Sequence, residues 1–254
     1  MKKVIALAAL AALGAAAAHA YLGEVLASWQ APGTYGVING LAFQGEYIWV
    51  KNTHSREGGV FKCTTTGSVV AEIAFPYPEP TFYSYGLTFD GEYLWTIYQY
   101  WRSVGSHDDY RKYTTNGSFA GWFHGHLWYL GSIAVTWDGE HILTHFPYRP
   151  RVEKYTTEGS LIATFKMPLD FYSDMAYYKR QLWYYNAYLV YGVTLNGSVV
   201  ASFQPPGGSC AGTAFDGEYL WTVDKNRPQY VYKVDIDVVD VAPASVGKVK
   251  ALYR

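Results

Sequence analysis

The histidines and carboxylates of this chain fall in patterns that invite chemistry. His124-Gly125-His126 places two imidazoles one residue apart, and His107 or His145 could complete a nitrogen-rich metal site. Asp108-Asp109 offers two carboxylates for hydrolysis, although adjacency alone does not put both side chains on one substrate. Tyr98 and Trp101, with Asn52, Asp108, Arg149 and Arg227 nearby in type, combine flat rings with hydrogen-bonding groups as a sugar-binding surface does. His54 and Arg56 belong to the same polar set. The same residues also fit loops that are polar only because solvent surrounds them. There is no nucleophile elbow, phosphate loop or cysteine-rich zinc pattern. Neither a cofactor nor a bound metal is therefore expected.

These residues occupy segments that vary in length: 52–59, 98–109, 145–151, 186–189 and 224–230, and 31–39, 76–85, 124–133, 168–173 and 205–211. Between them runs a repeat of about 40 residues. Its first half reads GLAFQGEYIWV from Gly40, GLTFDGEYLWT from Gly86, AVTWDGEHILT from Ala134, DMAYYKRQLWY from Asp174 and GTAFDGEYLWT from Gly212. Its second half reads VFKCTTTGSVVAEI from Val60, YRKYTTNGSFAGWF from Tyr110, VEKYTTEGSLIATF from Val152, VYGVTLNGSVVASF from Val190, and a shortened VYKVDID from Val231. Each unit predicts four short strands. Asp-Gly and Asn-Gly pairs make the tight turns, because glycine tolerates the positive φ such hairpins need.

Columns of the repeat alternate large and small residues as stacked sheets require. Phe43, Phe89, Trp137, Tyr177 and Phe215 share one column, and Trp49, Trp95, Leu143, Trp183 and Trp221 another. The aromatics are therefore expected in the packing between units rather than in a cofactor box. The predicted fold is all-β: a five-bladed β-propeller of four-stranded antiparallel blades, spanning 21–242. LGEVLASWQAPG from Leu22 matches NGSVVASFQPPG from Asn196, so Val25 to Gln30 is expected to complete the last blade beside Val231 to Val234. Val238 to Val241 is the competing source of that strand. The tail 243–254 has no partner in the repeat.

Residues 1–20 read as a signal peptide: Lys2 and Lys3, an apolar stretch to Ala18, and an Ala-His-Ala cleavage site. The expected location is secreted, periplasmic or cell-envelope. Net charge is −1, or −3 without Lys2 and Lys3, which implies no broad basic surface for nucleic acid or anionic lipid. No later run is long and apolar enough for a membrane span. Cys63 and Cys210 are either bridged or two separate buried thiols. Oligomeric state is not encoded in any of these patterns.

The unit GLTFDGEYLWT…YRKYTTNGS resembles the blades of NHL, YVTN and plant-type glutaminyl cyclotransferase propellers over about residues 22–237. The cyclotransferase resemblance implies catalysis by acidic residues near a central channel. That family carries Phe-Thr-Gln-Gly-Leu where this chain has Ser84-Tyr85-Gly86-Leu87. Two readings follow. The first is a secreted, non-enzymatic binding or scaffold propeller that recognises a glycan or protein ligand on its loop face. The alternative is a channel-centred enzyme of cyclotransferase or glycoside-processing type, with Asp174 and Asp224 as its acids. Asp174 stands where other units have Gly or Ala.

Overall fold

The computed structural model describes residues 22–33, 36–52, 59–75, 83–100, 107–125, 131–146, 150–169 and 173–236. The expected signal segment and the tail lie outside them. After an opening strand β1 (Glu24–Gln30), blade 1 comprises β2 (Ile38–Gln44), β3 (Tyr47–Asn52), β4 (Gly59–Thr64) and β5 (Val69–Ala74). Blade 2 comprises β6 (Tyr83–Phe89), β7 (Leu94–Tyr100), β8 (His107–Tyr113) and β9 (Phe119–His124). Blade 3 comprises β10 (Ala134–Trp137), β11 (Ile142–His145), β12 (Arg151–Tyr155) and β13 (Leu161–Lys166). Blade 4 comprises β14 (Met175–Tyr178), β15 (Gln181–Tyr185), β16 (Val190–Thr194) and β17 (Val199–Phe203). Blade 5 comprises β18 (Gly212–Phe215), β19 (Leu220–Val223) and β20 (Tyr230–Asp235), and its outer strand is β1.

All pairings are antiparallel, and the inner strands β2, β6, β10, β14 and β18 pack in a closed circle. β1 pairs with β20, Trp29 opposite Val231, so the opening strand closes the ring. The competing segment, 238–241, is outside the described residues. At three of the five seams a fourth-strand aromatic presses on the glycine just before the fourth strand of the next blade: Phe123 on Gly159, and Phe203 on Gly23. Trp29 does the same to Gly67, where a Cβ would lie 2.7 Å from the indole. These glycines have positive φ and no room for a side chain.

Five hydrophobic clusters fill the five seams between blades. Trp49, Trp95, Trp183 and Trp221 each enter the seam toward the next blade and are at most 1% exposed. Their indole N–H groups explain part of the turn sequence. Gln44, Asp90 and Asp216 accept from Trp49, Trp95 and Trp221 at 2.9, 2.6 and 2.9 Å. The rim is built with equal regularity. Each third-to-fourth strand pairing slips by one residue at the same place, so every outer edge carries a bulge. Such bulges twist exposed edges away from pairing with other chains.

Candidate functional site at the loop face

The first-to-second and third-to-fourth hairpins share one end of the ring. The second-to-third and blade-to-blade connections therefore share the other, the loop face. Three of those connections leave the seam between blades 2 and 3: those between β7 and β8, β9 and β10, and β11 and β12. Beneath them lies a buried polar network built around Asp108.

Tyr110 occupies a column otherwise held by Val60, Val152, Val190 and Val231, so here a hydroxyl enters the seam. It contacts Ser132 Oγ at 2.7 Å and Thr144 Oγ1 at 2.8 Å. Thr144 donates to the Ala134 carbonyl at 3.0 Å. Ser132 meets Asp108 Oδ2 twice, through its amide at 2.6 Å and its hydroxyl at 2.7 Å. Gln99 donates to the Ser132 carbonyl at 2.7 Å. Asp108 is 1% exposed, and its Oδ1 has no hydrogen-bond partner among the described residues. Gly131 passes close to that oxygen: a Cβ there would lie 2.4 Å from it.

Burial pushes the Asp108 carboxyl up to about 7, with Asp109 and Glu153 adding to the rise and the two Ser132 bonds opposing it. Proton counting agrees. The chain from Asp108 through Ser132, Tyr110 and Thr144 to the Ala134 carbonyl has four contacts but three hydroxyl protons. A proton on Asp108 supplies the fourth. With Asp108 ionised, Ser132 donates to it and one other contact in the chain lacks a proton; with Oδ2 protonated, the Ser132 hydroxyl turns to accept and all four contacts are filled, Oδ1 remaining outside the chain.

Strand alternation distributes the other candidate residues. Asp109 points away from Asp108, toward blade 1, where it pairs with Arg111 at 3.0 Å and His124 Nδ1 at 2.8 Å. His124 is half exposed and sits edge-on to Trp122. His145 is fully buried; it lies opposite Ala134, which packs toward blade 4, so it faces away from the Asp108 network. His107 opens β8 at the same end of the ring as His124. Among the described residues no group of three or more His, Cys, Asp or Glu could hold a metal. Tyr98 is buried in the seam of blades 1 and 2; its hydroxyl accepts from Tyr113 at 3.1 Å and its ring lies under the Arg111 guanidinium. Asn52 is buried beside Gly33, and Arg227 donates to the Gly36 carbonyl at 2.9 Å. His54, Arg56, Trp101, His126 and Arg149 lie outside the described residues.

Asp174 lies on the axis. Its Oδ1 accepts from Val135 N at 3.2 Å and its Oδ2 from Leu87 N at 3.3 Å, while its own amide donates to Ala211 O at 3.4 Å. Lys51, buried in a column otherwise held by Ile97, His145, Tyr185 and Val223, donates to Gly86 O at 3.4 Å. Burial lowers Lys51 to about 7, partly offset by the field of Asp174. Burial likewise raises Asp174 well above the usual carboxylate range, against its backbone hydrogen bonds and Lys51. Asp174 and its contacts thus tie all five blades together. The axis is tight at this level: a Cβ on Gly40 would meet Gly86 at 2.7 Å. Below it, toward the hairpins, a cavity of about 90 Å³ is lined by Phe43, Phe89, Trp137, Tyr177 and Phe215 among others, with no carboxylate in its wall.

Asp224 lies between blades 4 and 5, accepting from Tyr230 N at 3.1 Å and Tyr232 OH at 3.0 Å; burial raises its pKa. Nearby, Cys210 contacts Thr222, and burial pushes its thiol up to about 11, which keeps it protonated and unreactive at neutral pH. Cys63 and Cys210 are both free and buried, which resolves the cysteine alternatives in favour of separate thiols.

The described candidates therefore share one face but occupy different seams. Lys51, Gln99, Tyr110, Ser132 and Glu153 join Asp108 and Asp174 only through the fold. Tyr110 carried a sequence signal, as a polar residue in a column of valines.

No family model matches the chain, and no curated protein matches it. Among solved structures it is similar to glutaminyl cyclase of Myxococcus xanthus, with 12% identity over 86% of this chain and 98% of that one and a TM-score of 0.61. It is more distantly similar to a chain of a nidogen/laminin complex (12% identity, 74% and 72% coverage, TM-score 0.49). A third is the PQQ-bound aldose sugar dehydrogenase of Streptomyces coelicolor (10% identity, 84% and 97% coverage, TM-score 0.48). At 12% identity the likeness to the glutaminyl cyclase speaks to architecture alone, and the strand order above makes this chain an all-β, five-bladed β-propeller closed by its amino-terminal strand.

Proposed function

We propose that this protein is an extracytoplasmic binding propeller that recognises a glycan or protein ligand on its loop face, at the mouth of the seam between blades 2 and 3. The observation that carries this reading is Asp108: a buried acid, poised near neutrality, with one oxygen unpartnered among the described residues. Perturbed acids of this kind concentrate at functional sites. Three connections, β7 to β8, β9 to β10 and β11 to β12, begin and end at this seam, where a rigid scaffold would carry recognition loops. Gly131 covers Oδ1, so a ligand hydroxyl or amide N–H reaches it only when that glycine shifts aside; donation there favours the carboxylate, so binding strengthens as pH rises through 7.

The test is a glycan array and a peptide pull-down with the mature chain and D108N at pH 6 and pH 8. The D108N side chain keeps an acceptor oxygen for Ser132 but presents an amide N–H₂ where Oδ1 was. The expected result is a ligand whose binding is tighter at pH 8 and lost in D108N. Equal binding by D108N would remove Asp108 from the site.

Asp174 and Lys51 favour a second reading, a channel-centred enzyme of glutaminyl cyclotransferase or glycoside-processing kind. Both oxygens of Asp174 are already held by backbone N–H groups, whereas Asp108 Oδ1 has no partner among the described residues, which weighs toward the binding role. Release of ammonia from a peptide with an amino-terminal glutamine, abolished in D174N, would reverse that order.

A further inference from the structure

On the hairpin face, blade 4 departs from its neighbours. The turn between its first two strands is Lys179-Arg180, where the others have Gly45-Glu46, Gly91-Glu92, Gly139-Glu140 and Gly217-Glu218. Local charge changes from one negative to two positive. Lys179 and Arg180 adopt φ of 47° and 65°, in the left-handed region that disfavours residues with a Cβ. The blade gives up two further features of the repeat. Tyr178 replaces the residue that caps the tryptophan, and the buried Trp183 Nε1 has no partner among the described residues. Gly192 replaces the third-strand lysine found as Lys62, Lys112, Lys154 and Lys233. Part of this change repacks the blade: Tyr178 stacks on Phe215 at 4.4 Å, the Lys179 ammonium lies 4.8 Å over the Tyr178 ring, and Gly192 leaves room for the Trp183 indole. Those contacts do not account for two residues with a Cβ at positive φ, and backbone strain of that kind concentrates at functional positions.

The turn opens onto a groove of about 540 Å³. Phe165 and Leu195 give it an apolar wall, and Gln181 and Asn196 bring side-chain amides. Asn196 uses its oxygen to accept from Thr194 and Ser198 N, which orients its N–H₂ outward. Two adjacent cations, amide donors and an apolar wall match an acidic monosaccharide unit: charge for the anion, amides for hydroxyls, and carbon surface for a ring face.

We propose that this groove binds a negatively charged sugar, its carboxylate or sulfate held by Lys179 and Arg180 and its ring set against Phe165 and Leu195. The site is independent of the loop face.

Calorimetric titration of the mature chain with a uronate oligosaccharide, a sulfated oligosaccharide, the neutral oligosaccharide of equal length and inorganic sulfate tests it. One or both charged sugars should bind, at least tenfold tighter than the neutral sugar and than sulfate, and more weakly at high salt. K179G/R180E, which restores the turn of the other blades, should lose at least tenfold in affinity with an equal or higher melting midpoint. R180A should lose several-fold, and D108N should bind as the wild type does. No binding of either charged sugar, sulfate binding as tightly as the sugars, or unchanged affinity in K179G/R180E would overturn the proposal.

Discussion

Replacing Asp108 by asparagine should remove a slope from the pH dependence of stability. In the folded state burial holds the Asp108 carboxyl at about 7; in the unfolded chain it titrates near ~3.9. Below about pH 4 both states are protonated and the folded state keeps the full benefit of a completed hydrogen-bond chain. As pH rises, the unfolded state loses its proton first, so this contribution falls until about pH 7, above which it is gone. A difference of about three pH units corresponds to about 4 kcal/mol, a large share of the roughly 5–15 kcal/mol that holds a domain together. The D108N side chain is neutral throughout and cannot contribute this slope. Asp174 tilts the curve in the same direction but is present in both proteins, so it cancels in the difference. Urea unfolding from pH 4 to pH 8.5 should show wild type losing about 4 kcal/mol relative to D108N, with the change complete near pH 7. A constant difference across that range would mean that Asp108 is ionised in the folded state, and the proton-counting argument would fail.

Other substitutions probe other levels of the structure. Gly67 and Gly91 both have positive φ, but only Gly67 lies under Trp29, while the space around Gly91 is open. G67A should therefore cost about 1–3 kcal/mol more than G91A in denaturant midpoints; equal costs would argue against ring closure by β1. W95A empties a fully buried seam position and should cost about 3–5 kcal/mol, read from thermal or urea unfolding; a loss below about 1 kcal/mol would contradict its packing. D174A strips two backbone amides of their acceptor and should cost on the order of 3–5 kcal/mol, whereas D174N keeps one acceptor oxygen and should lose less. Equal losses would show that the Asp174 oxygens do not hold the blades.

The ring could be read from the chain because a propeller repeats its packing as well as its residues. Trp49, Trp95, Trp183 and Trp221 recur because each fills the same pocket against the next blade. The likeness of Leu22–Gly33 to Asn196–Gly207 survives because β1 and β17 do the same work on different blades. The site was harder to read, since a seam joins residues from different repeats and strand parity decides which seam a side chain enters. Asp108 and Asp109 are adjacent yet face blades 3 and 1. His124 and His145, grouped by type, point into different seams. Tyr98 stands at the edge of a variable segment, but its strand carries it into the core. Ser132 has no distinguishing neighbour in sequence, and only the folded chain sets it between Asp108 and Tyr110.

The most direct measurement is amide hydrogen exchange across residues 21–254, alone and saturated with a captured loop-face ligand. The account predicts new protection concentrated in 98–109, 124–133 and 145–151, and in little else on that face. Protection centred on 205–211 and 224–230, or spread evenly over all five seams, would contradict the placement of recognition between blades 2 and 3.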